Sequence, residues 1–422
     1  MLNVIDKLLG GIMNYKLIVI LLVIISGIYQ AVLNIVRHRS ANNPTPANLA
    51  DVYDAETYTK WKQYSAENSR LSIISGLVSL AVTVVMLATN LYSLFASLFP
   101  ATEFMQLLAV VILETVVSAL TGLIFSYIST LKIEEKYGFN RSTVKIFVFD
   151  RIRNLIIEFI LSLGIVSILW GLYTAMGDWI ILLFAIAIFC VTMVISFLYP
   201  VLSRIGNTFT PLEEGNLKDR LMELLTKHGY TVKAIEVMDA SRRTTKLNAY
   251  FTGFGKMKTI VLYDNLVNSM TPDEICAVFA HELGHGLNRD VLKSQILNFG
   301  NLVIMSLIVW VALKLPVLHT DFGFEDVNFG FAYILLSAGL GLIQPITALI
   351  MNARSRKAEY RADEQAVKEG YGEAMVTALK KLARENFAHL SPSKINVVLE
   401  YSHPPLGERI AEVERLSKEL TE

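Results

Sequence analysis

Long apolar runs separated by short polar stretches fill the first half of this chain, and two further runs interrupt its second half. Seven of these runs are long enough to cross the ~30 Å hydrocarbon core of a bilayer as a helix. They cover residues 16–36, 71–99, 104–131, 155–175, 179–201, 296–317 and 329–351. The pattern therefore predicts a mainly α, polytopic membrane protein with seven transmembrane helices.

Two polar regions, residues 202–295 and 352–422, lie outside the apolar runs. Leucines at helical spacing predict a helix over residues 211–230. Residues 232–237 and 259–263 alternate or run apolar with β-branched side chains, which is typical of strands. The two regions together predict an α+β domain that is split by a membrane hairpin.

Four parts follow from this order of elements. Residues 1–201 hold transmembrane helices 1–5 and their loops, 202–295 the first part of the polar domain, 296–351 helices 6 and 7, and 352–422 the second part of the polar domain with the C-terminal tail. A site built from both polar parts requires both to lie on the same side of the membrane.

The composition agrees with a membrane protein, since 53% of the 422 residues are hydrophobic and 18% are charged. Basic and acidic residues balance at 38 each, so no net field would attract nucleic acid. Basic residues are concentrated in the loop after the third run, as Lys132, Lys136, Arg141, Lys145, Arg151 and Arg153. By the positive-inside rule this face, with both polar regions, is cytoplasmic.

A short motif in the first polar region carries candidate chemistry. His281, Glu282 and His285 form the pattern H-E-x-x-H, and Thr271 with Glu274 forms a capping box that starts a helix about ten residues earlier. On a helix both histidines share a face and can bind one metal ion, while Glu282 reaches its water as a general base. Two histidines on a helix surface, without metal, are the alternative. We expect this helix to run on into the apolar run near residue 296.

A catalytic zinc takes three protein ligands, so one more ligand is needed. Glu359 is the best candidate, and Asp363 follows one helical turn later, where it could orient a ligand histidine by a hydrogen bond. The alternative is an ordinary charged helix face. One Zn²⁺ per chain, held by His281, His285 and Glu359, is the prediction.

Two other polar features have open roles. His403 precedes a proline pair, and it either donates to the oxyanion of the reaction or belongs to a simple turn. Glu114 and Glu158 fall inside apolar runs, where they either pack between helices or contact substrate.

At these residues the chain resembles the Ste24 group of M48 metallopeptidases, the type I CAAX prenyl proteases. The resemblance extends over nearly the whole chain. It is carried by segments 134–140, 199–200, 211–215, 248–251, 281–285, 355–363 and 403–409.

This resemblance implies seven helices that enclose a chamber, and a gluzincin-type zinc protease domain with ligands at His281, His285 and Glu359. It also implies a transition-state contact from His403, a position beside the ligands for Asp363, and a substrate-aligning edge strand near Asn248, Ala249 and Tyr250. The expected partners are the lipid bilayer and a peptide substrate, prenylated or otherwise anchored to lipid.

One departure bears on the source and the substrate. Eukaryotic members commonly have an aromatic residue after the second zinc histidine, where this chain has Gly286. A bacterial plasma membrane is therefore favoured over the endoplasmic reticulum. Quality-control proteolysis of misfolded or stalled membrane polypeptides is the alternative function, and a transporter or scaffold with structural zinc is a further one.

Overall fold

The computed structural model describes residues 14–252 and 259–420. Residues 1–13 and 421–422, which belong to the first and last predicted parts, lie outside the described residues.

Among the described residues, seven helices are long and apolar enough to span a membrane, which agrees with the predicted number. The longer helices are α1 Tyr15–Ser40, α2 Ala55–Ala88, α4 Glu103–Ile128, α5 Val144–Met176, α6 Ile180–Leu202, α10 Asp290–Lys314 and α12 Phe329–Lys368. The others are α3 Leu91–Ala96, α7 Asn216–Lys227, α8 Asp264–Ser269, α9 Pro272–Leu287, α11 Val317–Thr320, α13 Gly372–Glu385, α14 Lys394–Glu400 and α15 Leu406–Glu419. A π-helical turn, Ser129–Glu134, extends α4.

The seven long helices contact one another around a closed ring, in the order α1, α2, α4, α5, α6, α10, α12 and back to α1. We call the end of the ring that carries the polar domain the domain end, and the opposite end the far end. The helices converge at the far end, where one buried apolar cluster contains residues of all seven. Gly330 of α12 allows this convergence, because a Cβ there would lie 2.8 Å from the carbonyl oxygen of Leu107 in α4.

Toward the domain end the same helices separate. Segments 116–128 of α4, 189–202 of α6 and 337–357 of α12 are described throughout, and none of their residues is buried. Helices that are buried on no side have an outer face for lipid and an inner face toward the space within the ring. The seven helices thus enclose a chamber that is closed at the far end and widens toward the polar domain.

Two local predictions are wrong. The run at 71–99 is not one helix, because α2 ends at Ala88 and Asn90 adopts a left-handed conformation with φ 58°. The helix expected over 211–230 starts only at Asn216, because Pro211 lies in a strand that precedes it.

In the part of the polar domain that the structure describes, four strands form a small sheet. Its strands are β1 Phe209–Pro211, β2 Ala234–Met238, β3 Ala249–Thr252 and β4 Thr259–Tyr263, in the order β1-β2-β4-β3. β2 and β4 are parallel, and the other pairs are antiparallel. Helices α7 and α9 cover the sheet through a shared apolar core.

Candidate metal centre

Helix α9 begins where the sequence predicts. Thr271 accepts a hydrogen bond from the amide of Glu274, and the Glu274 carboxylate accepts one from the amide of Thr271 at 2.8 Å. Pro272 occupies the first turn, where its missing N–H costs nothing. The capping box therefore fixes the register of the helix that presents His281, Glu282 and His285.

A glycine brings this helix close to the one that carries Glu359. A Cβ at Gly284 would lie 2.9 Å from the Cα of Ala362 in α12, which is closer than real Cβ atoms approach. The absence of a side chain at Gly284 lets the two backbones approach at this point. Because Ala362 lies between Glu359 and Asp363, both carboxylates reach the histidine face of α9.

Three potential ligand atoms converge at this crossing. One atom each of His281, His285 and Glu359 lies within 4.8 Å of the other two. Nε2 of His281 is 3.5 Å from one Glu359 oxygen, and Nε2 of His285 is 3.3 Å from the other. Ligands about 2 Å from a tetrahedral ion lie roughly 3.3 Å apart, so this donor set has the spacing and the chemistry that Zn²⁺ requires.

The outer nitrogen of His281 contacts the predicted aspartate. His281 Nδ1 donates to Asp363 at 2.8 Å, and Arg409 of α15 donates to both oxygens of Asp363 at 2.9 and 2.6 Å. Burial lowers the pKa of His281, but its hydrogen bonds to Asp363 and Glu359 outweigh this effect and raise the pKa to about 9. In the neutral imidazole, the hydrogen bond to Asp363 keeps the proton on Nδ1 and leaves Nε2 as the candidate ligand atom.

His285 has an equivalent arrangement that sequence reasoning missed. Its Nδ1 donates to Asp290 at 3.1 Å, and Arg361 donates to the other oxygen of Asp290 at 2.9 Å. Asp290 is 8% exposed, whereas the Arg361 side chain is 40% exposed. The carboxylate is therefore buried, and the arginine extends from it to the surface.

The contact with Asp290 depends on a break that corrects our expectation of a continuous helix. Helix α9 ends at Leu287, and Arg289 takes a left-handed conformation with φ 54° before α10 begins. On an uninterrupted helix a residue five positions after His285 would lie on another face. The polar triplet Asn288-Arg289-Asp290 ahead of an apolar run was the signal that could have indicated the break.

Glu282 is half-buried beside the two candidate ligand histidines. Burial raises the pKa of its carboxyl, and the neighbouring His281 and His285 act in the opposite direction. Its place between the two histidines in the sequence puts it on the turn of α9 that faces Glu359. Arg409 also lies 3.5 Å from Glu359. In the sequence, Arg409 was indicated only as part of segment 403–409, which carries the family resemblance.

His403 lies at the open side of this cluster. Its Nε2 is 3.3 Å from Glu359, while 62% of the side chain is exposed. Ser402 Oγ is 2.9 Å from its Nδ1. His403 does belong to a turn, between α14 and α15, and that turn places the ring next to the predicted ligands.

Asn248, Ala249 and Tyr250 lie at the edge of the sheet. Ala249 and Tyr250 begin β3, which pairs with β4, and the carbonyl of Asn248 accepts from the amide of Tyr263 at 3.1 Å. Among the described residues no strand pairs with the other edge of β3. The Tyr250 ring contacts that of Tyr199 at 6.3 Å between centroids, so the end of α6 supports the strand.

The chain leading into β3 is fixed by a distant loop. The amide of Thr245 donates to the carbonyl of Phe139 at 3.1 Å, and Asn140 forms an isolated bridge with Thr244. Asn386 exchanges two hydrogen bonds with the backbone of Leu247, at 2.9 and 3.1 Å. These contacts join segment 134–140, which is far from the H-E-x-x-H motif in the chain, to the residues that lead into β3.

Comparison with known proteins identifies relatives along the whole chain. Residues 34–204 match the family model described as CAAX prenyl protease N-terminal, five membrane helices, and residues 211–417 match the model of peptidase family M48. The CAAX prenyl protease 1 homolog of Oryza sativa subsp. japonica is 31% identical, over 94% of this chain and 96% of that protein.

Two further relatives agree. CAAX prenyl protease 1 of Saccharomyces cerevisiae is 30% identical, over 88% of this chain and 89% of the relative. The crystal structure of S. mikatae Ste24p superposes with a TM-score of 0.88 at 28% identity, and covers 95% of this chain and 99% of that one. This chain therefore belongs to peptidase family M48, within its CAAX prenyl protease group, and is an integral membrane metallopeptidase.

Proposed function

We propose that this chain is a zinc metalloendopeptidase that hydrolyses peptide bonds near the C-terminus of prenylated, CAAX-type or other membrane-tethered peptides. The observation that carries the proposal is the convergence of His281, His285 and Glu359 at the domain end of the chamber. The names of the relatives support prenylated substrates, and the position of the site supports membrane anchoring.

Helix α12 links the membrane to the site. Ile350 is 63% exposed and belongs to the lipid-compatible part of the helix. Glu359 lies nine residues further along the same helix, or roughly 14 Å at 1.5 Å per residue. A peptide held to the bilayer by a lipid group can therefore present a bond close to its anchor.

His281, His285 and Glu359 would hold one zinc ion per chain. Bound there, zinc supplies Lewis-acid chemistry, which acidifies a water molecule and polarises the scissile carbonyl. Asp363 and Asp290 keep the two imidazoles oriented, with Nδ1 protonated, and Arg409 and Arg361 hold these carboxylates in place.

The remaining roles are assigned to residues around the ligands. Glu282 takes the proton of the attacking water and later passes it to the leaving amine. His403, on the open side, donates a hydrogen bond to the oxyanion that develops on the substrate. The unpaired edge of β3, with Asn248, Ala249 and Tyr250, aligns the substrate backbone as an added strand.

We assign the catalytic face to the cytoplasm, because the basic loop between α4 and α5 lies at the domain end of the ring.

Gly286, which stands where eukaryotic members commonly have an aromatic residue, supports a bacterial plasma membrane. A Cβ there would lie 2.5 Å from the hydroxyl of Tyr230, so Tyr230 occupies the space beside this position.

The test uses the full chain, purified with its metal and reconstituted in vesicles, with matched prenylated and unprenylated peptides. The proposal expects cleavage that a zinc chelator abolishes, that returned zinc restores, and that is faster for the prenylated peptide. Equal cleavage of both peptides would contradict the substrate class and would favour quality-control proteolysis. A protein that retains zinc but cleaves neither peptide would favour the scaffold alternative.

A further inference from the structure

Two aromatic rings mark the seam between α4 and α5 at the domain end. The ring of Tyr127, near the end of α4, meets that of Phe147, in the first turns of α5, edge-on at 6.4 Å between centroids. Phe147 is buried, while 43% of Tyr127 is exposed. The seam therefore consists of a buried phenylalanine ring, Phe147, and an accessible tyrosine ring, Tyr127.

One cation lies over each ring. Lys132 Nζ is 5.7 Å from the centroid of Tyr127, and the Arg151 guanidinium is 5.3 Å from that of Phe147. Both basic side chains are exposed. Because the two rings touch, both cations belong to the same seam.

Neither cation has an acidic partner, although their neighbours do. Lys136 pairs with Glu67 at 2.5 Å, and Arg153 lies 3.6 Å from Asp150. Within residues 14–252 and 259–420, no carboxylate forms an ion pair with Lys132 or Arg151. Asp150, the acid nearest to Arg151 in sequence, accepts from Arg243 at 3.0 Å. The positive charge of the seam is thus uncompensated.

The surface beside the seam is apolar. Leu123 and Ile124 of α4 are 45% and 61% exposed, and Val148 and Ile152 of α5 are 45% and 55% exposed. Exposed apolar side chains on these two helices are suited to contact with acyl chains. The two cations therefore stand where hydrocarbon gives way to headgroups, and their stems can extend along the apolar surface while the charges reach polar groups.

We propose that the Tyr127–Phe147 seam, with Lys132 and Arg151, binds the headgroup phosphate of an anionic phospholipid. The two cations neutralise the phosphate, the exposed Tyr127 hydroxyl lies at headgroup depth, and the acyl chains lie along the apolar faces of α4 and α5. The general excess of basic residues on this face accounts for the sign of the charge. It does not account for two unpaired cations that are seated on a pair of packed rings.

The experiment measures lipid binding to the full-length protein in detergent by native mass spectrometry, with phosphatidylglycerol as the probe and phosphatidylcholine as the zwitterionic comparison. The variant K132Q/R151Q should bind its first phosphatidylglycerol roughly 30-fold more weakly, from the contribution expected of two basic residues at an anionic surface. Phosphatidylcholine binding should not change.

The matched control is K60Q/K218Q, which removes the same charge from two lysines that have acidic partners. Lys60 pairs with Glu56 on the same helix, and Lys218 pairs with Glu214, which precedes helix α7. This control should bind phosphatidylglycerol as the parent does. An equal loss in both variants, or no loss in K132Q/R151Q, overturns the proposal. Displacement of the lipid by inorganic phosphate alone would also overturn it, because the ligand would then be a free anion.

Folding is controlled separately. Peptide cleavage and zinc content of K132Q/R151Q should equal those of the parent, and K132R/R151K should bind phosphatidylglycerol normally. If the double variant is too unstable to purify, Lys132→Gln alone should weaken binding roughly fivefold. Normal binding by that single variant would overturn the proposal.

Discussion

Asp290 accepts a hydrogen bond from His285 at 3.1 Å, although the helix that carries the histidine ends before the aspartate is reached. The contact completes a second chain of the type histidine, aspartate, arginine beside the one formed by His281, Asp363 and Arg409. Both candidate ligand imidazoles are therefore held through Nδ1 by a buried carboxylate. This leaves each Nε2 pointing at Glu359.

We predict that Asp290→Asn weakens zinc binding by about 10–100-fold, the range typical when a carboxylate that orients a ligand histidine is lost. Competition with a chelator of known affinity measures the change. Asp273→Asn is the matched control. Asp273 is an exposed aspartate on the first turn of α9, and it pairs with Arg220 of α7. Unchanged zinc affinity in folded Asp290→Asn would show that its contact with His285 does not serve the metal.

Glu359→Ala should lower zinc occupancy sharply from about one ion per chain, because it removes one of the three proposed protein ligands. Metal analysis of the purified, folded protein provides the measurement. Glu364→Ala, on the same helix, removes a carboxylate that pairs only with Lys368 in the described structure, and should retain full zinc. Full occupancy in Glu359→Ala would eliminate Glu359 as a ligand.

Glu282→Gln should keep zinc and peptide binding but lose turnover, because Glu282 is assigned to the proton and not to the metal. The expected fall in the cleavage rate is at least the 10²–10⁴-fold that is typical of losing a general base. Single-turnover cleavage and metal content should be measured on the same preparation. Parental rates in this variant would refute the assigned mechanism.

Gly284→Ala should separate α9 from α12, because the new Cβ would lie 2.9 Å from the Cα of Ala362. We expect a loss of about 1–3 kcal/mol in stability, as for other overpacked sites, together with weaker zinc binding. Thermal unfolding and chelator competition measure the two effects. Gly300→Ala is the control, since a Cβ at Gly300 meets nothing within 4 Å. Equal behaviour of the two variants would show that the close approach is not required.

Some features followed from the sequence because local physics sets them. The apolar runs long enough to span a bilayer predicted the seven helices, and the capping box predicted where α9 begins. The strand at 259–263 is also as predicted. The four-residue spacing of His281 and His285 is close to one helical turn, so their shared face required no tertiary information.

Other features depend on contacts between residues that are far apart in the chain. The sequence suggested Glu359 and Asp363 through the need for a third ligand, helical spacing and the family resemblance, but their approach to α9 depends on the space at Gly284. The pairing of Phe139 with Thr245, which fixes the entry to β3, joins segments that no local pattern connects.

The sequence by itself determined the seven spans, the split polar domain and the candidate ligands on α9, because periodicity, capping and spacing act within a few residues. Only the tertiary structure decided that α9 breaks at Arg289, and that Asp290 and Arg361 meet beneath His285. A left-handed residue between two helices is strained, and it is adopted only where surrounding contacts outweigh the strain. Those contacts come from α12, and local sequence patterns do not predict that α12 lies next to Arg289 and Asp290.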